Sequence, residues 1–182
     1  MSRLKQKDTV LLVVDLQEKL FPVIEDREQV CAATVKLIEG CCLLDVPIIV
    51  TQQYSRGLGE TIPSIREALR DAFSPIEKRV FSCADVPLFH TELAQTRRRQ
   101  VVVCGIETHI CVQQTALDLL ADHEVFLACD CTASRRKLDR DTAIARMANA
   151  GVELMTTESI LFELMETAEH PAFRQISQLV KG

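Results

Sequence analysis

Val101-Val102-Val103-Cys104-Gly105-Ile106-Glu107-Thr108, residues 101–108, is a continuous apolar run that passes through a glycine and turns polar at Glu107. An unbroken apolar run, rather than an apolar/polar alternation, fits a strand covered on both faces, as in a parallel sheet. Thr108 or a neighbour then opens a helical pattern that runs to about Asp122. A buried strand passing directly into a helix is one strand–helix unit, and the same unit recurs along the chain. Short buried strands are predicted at Val10–Val14, Pro47–Thr51, Ile76–Val80, Val125–Cys129 and Val152–Thr156 as well as Val101–Gly105. Six strands alternating with helices predict a three-layer, Rossmann-like α/β fold: a six-stranded parallel sheet flanked by helices, with right-handed crossovers.

The intervening helices have their own signals. Asp26 suits an N-cap for a helix through Leu44, with Val30, Val35, Ile38 and Leu43 apolar. Pro63 fits the first turn of a second helix, followed by Ile65, Leu69 and Ala72. Asp85 with Pro87 opens a third, ending near Thr96, and Asp139 opens another that Gly151 ends as the residue after the C-cap. Glu158–Glu166 and Ala172–Val180 read as two C-terminal helices, and Ser55–Gly59 as a loop beside the ligand crevice. With no repeat, linker or low-complexity stretch, residues 1–182 are expected to form a single domain.

Composition narrows the function classes. Hydrophobic residues make up 47% of the 182 and charged residues 26%, which is ordinary globular composition, not that of a disordered chain. A chain of this size buries enough surface to fold without staples. The polar N-terminus has no secretory h-region, and no apolar run could span a bilayer, so a cytoplasmic protein with no membrane partner is expected. Eight cysteines in a reducing compartment then read as free thiols. Most act as small packing groups: Cys31, Cys41 and Cys42 in a helix, Cys104 and Cys129 in strands. There is no Cys-x-x-Cys, and the four histidines show no His-x-x-x-His, so neither a metal nor another cofactor is expected. A net charge of −5 and few aromatic residues argue against nucleic acid as a partner, with Arg97-Arg98-Arg99 read as a solvated turn. No glycine-rich dinucleotide or phosphate loop occurs.

In open α/β sheets ligands sit beyond the carboxyl ends of the strands, so the polar residues there carry the chemistry. Asp15 follows the first strand, Lys78 falls in the third, and Cys111 lies about one turn into the helix after the fourth. A helix N-terminus and a nearby lysine both favour a thiolate, so Cys111 is expected to have a lowered pKa. Asp15 at the same sheet edge could move its proton.

These segments also carry a family resemblance. Leu11-Leu12-Val13-Val14-Asp15-Leu16-Gln17, Glu77-Lys78-Arg79-Val80-Phe81-Ser82, Val102 through Val112 and Thr157 through Leu164 resemble, in order, the isochorismatase-like cysteine hydrolase superfamily. The most specific match is Gly105-Ile106-x-Thr108-x-x-Cys111-Val112. The resemblance implies an Asp15–Lys78–Cys111 triad, with Cys111 the nucleophile, Asp15 the proton carrier and Lys78 holding the thiolate and orienting Asp15. It also implies a cis peptide at Ile106–Glu107, with the Glu107 and Cys111 N–H groups forming an oxyanion hole. The Glu107 side chain is expected to be merely solvated. Nicotinamidase-type members carry an Asp-x-His metal pattern where this chain reads Thr51-Gln52-Gln53-Tyr54, which points to a metal-free subgroup. The expected reaction is cleavage of a small amide-type substrate through a Cys thioester, with Gln17, Phe21, Gln52 and Tyr54 as candidate pocket residues and a homo-oligomer as the assembly. A thiol-based redox or stress protein, and a non-catalytic scaffold on the same fold, are the rival readings.

Overall fold

A computed structural model describes residues 3–181; Met1, Ser2 and Gly182, the ends of the expected domain, lie outside the described residues. Strands β1 (Thr9–Val14), β2 (Ile48–Gln53), β3 (Pro75–Lys78), β4 (Gln100–Ile106), β5 (Glu124–Ala133) and β6 (Glu153–Met155) form one sheet in the order β3-β2-β1-β4-β5-β6. Every pairing is parallel. The connections carry helices α1 (Arg27–Leu43), α2 (Ser55–Leu58), α3 (Pro63–Leu69), α4 (Pro87–Thr96), α5 (Gln113–Leu119) and α6 (Lys137–Ala150), with α7 (Thr157–Met165) and α8 (Phe173–Lys181) closing the chain.

The apolar runs split by parity into two cores, because successive strand side chains point to opposite faces. Leu11, Val13, Val50, Val102, Cys104 and Phe126 pack under α1, α3, α7 and α8. Val10, Leu12, Ile49, Ile76, Val101, Val103, Val125 and Leu127 pack under α4, α5 and α6. Continuous hydrophobicity is therefore two interleaved period-2 patterns, one for each helical layer.

Several local expectations are revised. Asp26 precedes α1 but adopts φ 53° and makes no side-chain capping bond. Ser55–Leu58 is a helical turn rather than a loop, ended by Gly59 at φ 80°. The helix after β4 begins with a wide π turn over Thr108–Val112 before α5. Strand β3 ends at Lys78, because the chain leaves the sheet where the lysine turns inward. Strand β5 runs on to Ala133, through a bulge opposite Val103 and Gly105. Asp130 in that bulge accepts the Thr157 N–H that opens α7, at 2.9 Å. Gly151 ends α6 at φ 111°, and Arg97-Arg98-Arg99 form the turn before β4. Among the described residues no helix is long and apolar enough to cross a membrane.

Candidate active site

The site lies at the carboxyl edge of the central strands, on the face packed by α4 and α5. Asp15 leaves β1 at φ 50°, a left-handed conformation that aspartate tolerates better than most residues. Gly105 on β4 has φ 120°, and a Cβ there would lie 2.0 Å from the Val14 carbonyl oxygen. Only glycine lets the end of β1 press against β4, and this contact brings Asp15 close to the turn that carries Cys111. On β2, Ile49, Thr51 and Gln53 share the α4/α5 face by period 2, as do Ile76 and Lys78 on β3.

Asp15 and Lys78 form a fully buried ion pair, Nζ to Oδ2 at 2.6 Å. The other carboxylate oxygen accepts the Thr51 hydroxyl at 2.8 Å. The ammonium also donates to Gln53 Oε1 at 2.8 Å and to the Phe81 carbonyl at 3.1 Å, with the Val80 carbonyl at 3.4 Å. Burial works against the Lys78 charge. The attraction of Asp15, supported by Cys111 and Cys83, outweighs it and holds the ammonium above the ordinary lysine range.

Cys111 is buried in the same core. Its thiol does not follow the expected direction: burial, then the Asp15 carboxylate, pushes it up to about 12, against the opposing pull of Lys78. A desolvated sulfur cannot readily carry charge, and this outweighs the helix-end effect on which the lowered value rested. At rest Cys111 is a neutral thiol coupled to Asp15. Cys83, pushed up to about 11 chiefly by burial, is a second neutral thiol beside the pair, 3.8 Å from the Thr51 hydroxyl.

The Ile106–Glu107 peptide is cis, and the Glu107 carbonyl accepts the N–H groups of Ile110 and Val112 at 3.1 and 3.3 Å. The Glu107 side chain is not solvated but buried, its carboxylate accepting the Arg135 N–H at 3.1 Å and the Arg135 Nε at 3.0 Å. A buried carboxylate needs a partner, and the turn after β5 supplies one. The Thr108–Thr132 hydroxyl contact at 2.9 Å and the His109–Ser134 contact at 2.9 Å tie the π turn to the same segment.

The candidate pocket residues divide. Gln17 is fully buried; its amide nitrogen donates to the Gln53 and Gly59 carbonyls at 3.0 and 2.7 Å, and its oxygen accepts the Gln53 N–H at 2.7 Å. Gln52 shares the parity of Val50, so it faces the opposite side of the sheet from Thr51 and Gln53, where it donates to Glu60 at 3.1 Å and Thr61 at 2.9 Å. Phe21 packs against the α1 core. Tyr54 is exposed at the end of β2, with Arg79 5.2 Å from its ring centroid. Sequence reasoning missed Thr51, Gln53 and Cys83. Period-2 parity on β2 was the available signal for the first two: a hydroxyl and an amide on the face opposite Gln52. Among the described residues no group of three or more His, Cys, Asp or Glu side chains could hold a metal ion.

Residues 9–159 match the isochorismatase domain model. The chain belongs to the isochorismatase-like cysteine hydrolase superfamily. It is therefore a hydrolase-type enzyme of the isochorismatase family. Mouse isochorismatase domain-containing protein 2A is 37% identical over all of this chain and 86% of its own length. Among solved structures, the MAR1 ribonuclease of Caenorhabditis elegans superposes with a TM-score of 0.92 at 34% identity, covering 100% of this chain and 93% of that one. A Leishmania donovani protein provisionally named a MAR1 ribonuclease gives 0.90 at 36% identity, covering 100% and 97%. These ribonuclease relatives overturn the expectation that nucleic acid is no partner. Net charge was the wrong measure, since binding depends on local charge. Arg135, Arg136 and Lys137 stand exposed together after β5 on a chain of net charge −5.

Proposed function

We propose that this isochorismatase-family hydrolase cleaves the C–N bond of a small amide-type substrate through a thioester on Cys111, with Asp15 and Lys78 completing the triad. The observation that carries the reading is the buried Asp15–Lys78 pair acting on the Cys111 thiol from distant parts of the chain. As Cys111 Sγ bonds to the carbonyl carbon, its proton passes to Asp15. The Glu107 and Cys111 N–H groups hold the developing oxyanion, an interaction whose loss typically costs about 100-fold in rate or more. When the C–N bond breaks, Asp15 returns the proton to the leaving amine. Water then splits the thioester, giving the acid and restoring the thiol. Lys78 keeps its proton throughout and acts by its charge. After β2 the stretch Thr51–Tyr54 presents hydroxyl and amide groups rather than carboxylate and imidazole, so no step is routed through a metal. Gln17 and Gln52 serve here as internal supports rather than substrate contacts, and residues 1–182 act as one domain.

The thiol-redox rival needs a thiolate at rest, because oxidation follows thiolate character. Burial of Cys111 works against that. A second reading takes RNA as the substrate, and the ribonuclease names of relatives at 34% and 36% identity favour it. One experiment separates the two: ammonia release from a panel of amides and carbamoyl compounds, run beside cleavage of a labelled RNA, with Cys111→Ala as control. Ammonia release that disappears in Cys111→Ala is the expected result. Full turnover by Cys111→Ala would remove Cys111 as nucleophile, and Cys111-dependent RNA cleavage without ammonia release would replace the amide reading.

A further inference from the structure

We infer that Gln53 is a positioning residue for Lys78: its amide oxygen, set in place by a clip from Gln17, fixes the ammonium beside Asp15 and Cys111. The inference rests on the triad reading and adds a residue to it.

The geometry forms a chain of contacts. Gln17 turns back on β2 with its whole amide group, accepting the Gln53 N–H at 2.7 Å and donating to the Gln53 carbonyl at 3.0 Å. A two-point clip of this kind fixes the backbone of residue 53 where β2 ends. From that anchored backbone the Gln53 side chain reaches β3, where its Nε2 donates to the Arg79 carbonyl at 3.1 Å and its Oε1 accepts from Lys78 Nζ at 2.8 Å. The first of these bonds decides which way round the amide sits. With its nitrogen committed to a carbonyl, the oxygen must face the ammonium. Asp15, Gln53 and Phe81 then offer one acceptor each within 3.1 Å, enough to take the three ammonium protons.

The alternative placement of the ammonium defines what Gln53 does. Without Gln53 the ammonium keeps Asp15 and the carbonyls of Phe81 and Val80 but loses its acceptor on β2, so it is free to shift toward those carbonyls, and its effect on a neighbouring sulfur falls as it moves. The charged and titratable groups acting on Lys78 are Asp15, Cys111 and Cys83, and those acting on Cys111 are Asp15 and Lys78. Gln53 is the uncharged member, so it can hold the lysine without adding a charge that competes with Asp15. A purely structural glutamine would tie β2 to β3 and leave the thiol unaffected.

The test reads the thiol directly and needs no substrate. Labelling of Cys111 by iodoacetamide is followed by peptide mass from pH 7 to 10 in the wild type, Gln53→Met and Lys78→Met. Removing a nearby cation is expected to move the Lys78→Met profile to higher pH by about one unit or more. Gln53→Met, which keeps the length and loses the acceptor, is expected to move it the same way, with labelling at pH 9 reduced roughly threefold to tenfold. A Gln53→Met profile that overlies the wild type while Lys78→Met shifts would overturn the inference and leave the triad reading standing. No shift in Lys78→Met would overturn the inference as well, since Lys78 would then not act on the thiol. If Gln53→Met does not fold, Gln53→Asn withdraws the same oxygen while keeping an amide. The Lys78 ammonium resonance in nitrogen-15 spectra gives a second readout: it is expected to be slow-exchanging in the wild type and lost to exchange in Gln53→Asn. Its persistence unchanged in that variant would sink the idea. Loss of the triad reading itself would come from a different result, full turnover by Cys111→Ala.

Discussion

At Cys111 two effects compete, and burial prevails. The turn after β4 and the lysine beside the sulfur both favour a thiolate, yet removing water from the thiol raises it to about 12. In the proposed reaction this gives Asp15 its task, because a neutral thiol must hand its proton to a base as it attacks. Alkylation of the free enzyme should follow the small thiolate fraction, rising steadily with pH through 9 and beyond. A plateau in the iodoacetamide rate between pH 6 and 8 would contradict the buried-thiol account. The sequence could nominate Asp15, Lys78 and Cys111 because each lies at or just beyond the end of a strand, and the structure brings them together. Thr51 and Gln53 were not singled out, because polar residues at a strand end have many uses until their neighbours are known. Glu107 was misjudged for the same reason: nothing near it in sequence indicates that Arg135 will meet it.

Among the elements, the contact between β1 and β4 sets the geometry of the site. Gly105 allows the Val14 carbonyl to lie where any side chain would collide, at φ 120°. Gly105→Ala combines a disfavoured backbone conformation with overlap against backbone atoms. It is expected to cost about 3 kcal/mol or more, read as a lowered urea midpoint. A loss under about 1 kcal/mol would mean that the two strands can separate without penalty. The bulge in β5 is the other element-scale feature. A predicted strand of five residues became one of ten because three extra residues between Leu127 and Thr132 bow out of the ladder and the chain then rejoins it. The carbonyls of Cys129 and Thr132 in this bow are held by Arg140 at 2.6 and 3.0 Å. Arg140 lies on α6, so local hydropathy could not reveal the extension.

Over the whole molecule, the free thiols couple stability to pH. Cys41, Cys83, Cys104, Cys111 and Cys131 are buried, and desolvation raises each above its ordinary value of 9.0. The folded state therefore keeps protons that the unfolded chain releases above pH 9. The contribution is fully present below that pH and is lost as pH rises toward the folded values. Lys78 acts with the same sign, from its ordinary value of 10.5 upward. The urea midpoint, measured under reducing conditions, should be steady from pH 7 to 9 and fall between 9 and 10.5. A midpoint that holds or rises across that interval would show that the thiols are not desolvated as described.

The layered α/β fold, the family and the strand ends at which chemistry could sit could all be read along the chain. Those features follow from short-range periodicity and from motifs read along one chain. The charge state of Cys111, the burial of Glu107 against Arg135, and the turning of Gln17 and Gln53 inward toward Lys78 emerge only once the chain is packed. Each depends on which groups meet across the sheet and how much water they lose, and neither is encoded in a local pattern. Nucleic acid as a partner was misread from net charge, because a sum over the chain carries no information about where its arginines stand.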